Sequence, residues 1–126
     1  MELTKDQAKE VIETALSYVG HPYDSKEFNC VGFVRTVYRT IGIKISPLKS
    51  CAPPAELNLS AEQAKDLPVG HLMFLKDRDD PRKERSWTHV VIILTKETCI
   101  HCSLFFGRKV TISSFAEMYC KYDVVI

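Results

Sequence analysis

Apolar positions near the start of the chain recur at three- and four-residue intervals. Ala8, Val11, Ile12, Ala15, Leu16 and Val19 fall on one face of a helix. Thr4 followed by Gln7 makes a capping box, and Gly20-His21-Pro22 ends the pattern, so the spacing predicts an amphipathic helix over about residues 5–19. Residues 20–29 are polar and read as a loop. Helical spacing returns with Phe33, Val34, Val37, Tyr38 and Ile41; Asn29 is a good N-cap for this second helix and Gly42 stops it. Pro47, Pro53 and Pro54 make residues 43–59 an extended connector. Ser60 with Gln63 predicts a short helix around 60–65, and Leu67-Pro68-Val69-Gly70 a turn. The pattern then becomes strand-like. Strands are predicted at 71–75, about 87–95, 98–105, 108–112 and 121–126. A charged loop fills 76–86, Gly107 marks a turn, and Ser114 with Glu117 starts a short helix before the last strand. Helices first and strands afterwards predict an α+β fold, with N-terminal helices packed on a mostly antiparallel sheet of about five strands.

Composition bounds the function. The 126 residues, 45% apolar and 26% charged, suit one domain over 1–126 that needs neither disulfide nor metal to fold. Lys and Arg total 17 against 16 Asp and Glu, so no nucleic-acid partner is expected. Arg78, Arg82, Lys83 and Arg85 alternate with Asp77, Asp79, Asp80 and Glu84, which reads as a solvated loop. No apolar run is long enough for a membrane span. The first residues lack the basic and apolar regions of a secretory signal, so the expectation is a chain that is cytoplasmic as made. Five cysteines without a secretion signal read as free thiols, mostly buried.

One thiol differs in placement. Cys30 falls in the first turn of the second helix, where unpaired N–H groups and the helix dipole should lower a thiol pKa and could hold an oxyanion. Cys51 lies in the connector, and Cys99, Cys102 and Cys120 lie in or beside strands. His89 opens an otherwise apolar strand and His101 follows twelve residues later. If the two strands form a hairpin, both imidazoles can face one side of the sheet, and one can fix the tautomer of the other. Taken singly, Cys30, His89 and His101 each read as buried core residues; together they read as nucleophile, base and orienting group. Two other readings fit parts of the pattern. Cys99, His101, Cys102 and Cys120 are zinc-ligand types, although Cys99 and Cys102 should point to opposite faces of a strand. A binding module without turnover would keep the same fold.

These residues carry a resemblance. Ala15-Leu16-Ser17-Tyr18-Val19-Gly20-His21-Pro22-Tyr23, Phe28-Asn29-Cys30-Val31-Gly32-Phe33-Val34, Leu67 to Phe74, Thr88-His89-Val90 with Ile92, and Ile100-His101-Cys102-Ser103 follow one another as do the motifs of NlpC/p60 papain-like cysteine peptidases. The resemblance covers about residues 8–113. It implies Cys30 as nucleophile, His89 as base and His101 as the orienting residue, with Tyr23, Asn29 and Val31 near substrate or oxyanion. It also implies amide hydrolysis through a thioester on a cell-wall peptide, with no cofactor; acyl transfer or deamidation would use the same chemistry. For a cell-wall target, a chain made in the cytoplasm needs a non-standard export route. Asn29 and Val31 stand where the family pattern has Asp and Ser, and His71 where its strand has Asp. These departures leave the three catalytic candidates in place and bear on what is bound.

Overall fold

The computed structural model describes residues 2–45 and 59–125. Most of the predicted connector, with Cys51 and its three prolines, lies outside them. Helix α1 (Lys5–Ser17) is set by the Thr4–Gln7 capping box, with both reciprocal bonds formed. It ends at Ser17, two residues earlier than its apolar spacing predicts, with Tyr18 as its C-cap donating to the Ala15 and Leu16 carbonyls. Helix α2 (Cys30–Thr40) starts on Asn29, and short α3 (Ala61–Asp66) on the Ser60–Gln63 box. The strands are β1 (Leu72–Asp77), β2 (His89–Ile93), β3 (Thr98–Ser103) and β4 (Lys109–Ser114); α4 (Phe115–Tyr119) and β5 (Tyr122–Val125) complete the chain. The predicted elements are all present, with ends moved by a few residues.

The five strands form one antiparallel sheet in the order β4-β3-β2-β1-β5. Alternation along each strand divides the apolar residues between its two faces. Leu72, Phe74, Val90, Ile92, Ile100 and Cys102 pack with Val11, Ala15, Phe33, Val34, Val37 and Tyr38 of the two long helices. Met73, Leu75, Val91, Ile93 and Cys99 pack on the other face with Phe115, Met118 and Tyr122. Burying one large apolar side chain stabilises by about 1.5–3 kcal/mol, so each face contributes substantially. Gly70 shows how closely α1 approaches: a Cβ there would lie 3.1 Å from the Ala8 Cα, and its φ of 83° already disfavours a side chain. The buried Tyr38 hydroxyl donates to the Gly70 carbonyl at 2.6 Å, tying α2 to the same turn.

The loop before α2 is more ordered than its polar composition predicts. Gly20 and Tyr23 donate backbone bonds to the Val110 and Arg108 carbonyls, and Val110 donates to His21. The segment therefore lies along the outer edge of β4, and Asp24 and Phe28 then close a tight turn leading into Asn29. Among the described residues, no helix is long and apolar enough to cross a membrane.

Candidate active site

The first turn of α2 is built by its cap. The Asn29 side chain accepts from the Gly32 N–H at 2.9 Å, the Asn29 carbonyl accepts from Phe33, and the Asn29 amide donates to the Ser25 carbonyl. Asn29 thus fastens the preceding loop to the helix, and its side chain is spent on that task. Gly32 permits the close approach: a Cβ there would come within 2.6 Å of the Glu27 carbonyl oxygen. With Gly32 and Phe33 bonded to the cap, the N–H groups of Cys30 and Val31 remain, and both point at the Cys30 thiol. The Val31 side chain packs against the core, so this residue contributes its amide to the site.

A third donor comes from the sheet. The β2–β3 ladder runs through Ile93–Cys99 and Ile92–Ile100 and goes no further toward His89. The Val90 N–H turns instead to the Cys30 thiol. The thiol therefore meets the strand residue next to His89, at the point where the two strands part. It is also close enough to Tyr122 to help raise that hydroxyl, and Tyr122 stacks on the His89 ring at 5.5 Å.

His89 and His101 lie on the face away from α1 and α2. Counted along the β2–β3 register, they sit diagonally, with His101 across from Val91. Their rings still meet, with His89 Nε2 2.7 Å from His101 Nδ1. His101 Nε2 is in turn 2.9 Å from Ser113 Oγ, and Phe106 lies against the His101 ring. All three side chains of this chain of contacts are buried. The hairpin spacing predicts the two histidines on one face, and the structure brings them together there. Ser113 was missed, because β4 was expected to end at residue 112.

Burial governs the charges. It holds His89 well below its ordinary value, with the neighbouring His101 acting in the same direction, and pushes His101 down to about 4. Burial also pushes the Cys30 thiol up, and the three amides that favour the thiolate only partly oppose it. This corrects the expectation from helix placement: the helix start supplies its donors, but loss of water outweighs them. These shifts favour the uncharged forms, the thiol of Cys30 and the neutral imidazoles of His89 and His101. Tyr23 sits half-buried against the same core, and burial, then Cys30, Cys102 and Asp24, raise its hydroxyl, which stays protonated and able to donate.

The other thiols are placed differently. Cys102 belongs to the helix-side core and faces the Phe28 carbonyl at 3.4 Å, Cys99 belongs to the opposite core, and Cys120 is exposed. Cys99 and Cys102 thus face away from each other, as strand alternation requires. Among the described residues no three His, Cys, Asp or Glu side chains gather as a metal site.

The NlpC/P60 family model matches residues 16–126. The chain belongs to the NlpC/P60 family. An NlpC/P60 family protein from Bacillus cereus is 26% identical, with a TM-score of 0.70 over 93% of this chain and 38% of its own. The NlpC/p60 domain of the peptidoglycan hydrolase SagA is 25% identical, with a TM-score of 0.64 over 94% of this chain and 98% of that domain. NlpC1 from Trichomonas vaginalis, 19% identical, shares the fold at a TM-score of 0.76 over 99% of this chain and 44% of its own. The chain therefore spans less than half of the Bacillus and Trichomonas proteins but nearly all of the SagA domain. A search of curated proteins gives no match.

Proposed function

We propose that this NlpC/P60 chain is a cysteine hydrolase that cleaves amide bonds in cell-wall stem peptides. The family, and the SagA domain that it matches over nearly its full length, support a cell-wall amidase or peptidase role. The observation that carries the cysteine chemistry is the convergence at the β2–β3 opening: the Cys30 thiol on the Val90 amide, and His89 bonded to His101.

In this reading His89 uses Nδ1 as the base, since Nε2 is engaged with His101. The proton leaves Cys30 as sulfur attacks the amide carbonyl, which suits a pair that rests neutral. Sulfur bonds to the carbonyl carbon, and the oxyanion is held by N–H groups at the start of α2 and by the Tyr23 hydroxyl. His89 gives its proton to the leaving amine as the C–N bond breaks. Water, deprotonated by the same imidazole, then attacks the thioester and releases the acid and the thiol.

The test is mass spectrometry of muropeptides incubated with the protein or with Cys30→Ala. New fragments differing from their parent by cleavage of one amide are expected with the protein alone. Equal cleavage by Cys30→Ala would refute the nucleophile, and no cleavage of any muropeptide by the native chain would refute the substrate class.

A further inference from the structure

The His89–His101 contact can be made by two arrangements of protons, and only one lets His89 act as a base toward Cys30. If His89 carries its proton on Nε2, that N–H donates to His101 Nδ1, and His89 Nδ1 is free to accept. If His101 carries its proton on Nδ1, that N–H donates to His89 Nε2, the His89 proton sits on Nδ1, and the base is blocked. The 2.7 Å separation fits both. The choice depends on the far nitrogen of His101, which is 2.9 Å from Ser113 Oγ in a buried setting.

We infer that Ser113 is a positioning residue for the base, its hydroxyl accepting from His101 Nε2–H and so selecting the His101 tautomer whose Nδ1 can receive the His89 proton. The need grows during turnover. Once His89 has taken the thiol proton it carries hydrogen on both nitrogens, and its Nε2–H must find an acceptor. His101 can accept there only while its own proton is on Nε2, and a buried N–H without a partner is costly. Ser113 removes that cost. The placement follows from the ladder: His101 pairs with Thr111 and Cys99 with Ser113, so Ser113 is the next β4 residue on the face of the His101 ring. The Phe106 ring against His101 closes the site on another side.

The role in catalysis rests on the proposed Cys30–His89 chemistry, whereas the tautomer can be read without any substrate. In the native protein, nitrogen-15 shifts of the His101 ring should report the Nε2–H form. In Ser113→Ala they should move toward Nδ1–H, and Ser113→Thr, which keeps a hydroxyl, should restore the native pattern. On a cleavable muropeptide, Ser113→Ala should lower kcat by about tenfold or more with little change in KM, as expected when an orienting contact rather than a binding contact is lost. An unchanged His101 tautomer in a folded Ser113→Ala protein would overturn the inference, whatever happens to activity. A native chain that cleaves no muropeptide but shows the tautomer change would refute the proposed function and leave the Ser113 contact standing.

Discussion

His71 and His89 stand at opposite ends of the β1–β2 pair, and His101 meets His89 from β3. His71 precedes β1, and its backbone pairs with Ile93 at the far end of β2; His89 opens β2 opposite Leu75. All three rings are buried. The His71 ring is spent on backbone: Nε2 accepts from the Leu3 N–H at 3.3 Å and Nδ1 lies 3.4 Å from the Val69 carbonyl. It fastens the segment before α1 to the turn before β1. His89 and His101 instead bond to each other, and His101 also to Ser113, beyond the point where the β2–β3 pairing ends. Burial of a histidine is therefore no sign of chemistry by itself. What separates the two regions is that the His71 ring has both nitrogens against backbone, while His89 bonds through Nε2 to a second histidine.

Substitution should split the two regions most sharply in rate. His89→Ala should lower kcat by about a thousandfold or more, since it removes the proposed proton carrier, with far-ultraviolet circular dichroism unchanged. His71→Ala should leave kcat within about threefold and cost about 1–2 kcal/mol in urea unfolding, the scale of its lost hydrogen bonds. Equal rate losses in the two variants would erase the distinction.

Acid should sharpen the comparison through stability. His89 and His101 are held neutral by burial, with values below the ordinary 6.5, while the unfolded chain takes up protons as usual. Stability from their neutrality is thus complete above about pH 6.5 and falls as pH drops toward 4. Each histidine withdraws about 1.4 kcal/mol per pH unit in that window. Urea midpoints between pH 7 and 4.5 check this, and His101→Asn should flatten the slope. A slope unchanged in that variant would contradict a buried neutral His101.

Much of this arrangement was legible in the residues. The Thr4–Gln7 box, the Asn29 cap and the His89–His101 interval depend on neighbours close in sequence, and each forms as local rules require. The motif order from Tyr23 to His101 named the family. Ser113 was not legible, because a polar residue after Ile112 reads as the run-up to a helix cap; only pairing with Cys99 carries β4 that far. Nor was the role of Val90, whose backbone amide leaves no mark in its side chain. The sense of the Cys30 shift depended on how much water the fold removes, which a helix-start argument does not contain. The loop at 20–29 looked free because its bonds go to β4, more than eighty residues away.

The central claim is that Cys30, resting as a neutral thiol, is the group that attacks. Its most direct test is iodoacetamide alkylation followed by peptide mapping, with residual muropeptide cleavage measured on the same samples. Activity should fall in proportion to alkylation of Cys30, independent of labelling at exposed Cys120. The Cys30 rate should be slow at pH 7 and rise with pH past the ordinary thiol value of 9.0, because burial raises it. Full cleavage activity in protein whose Cys30 is fully alkylated would contradict the account.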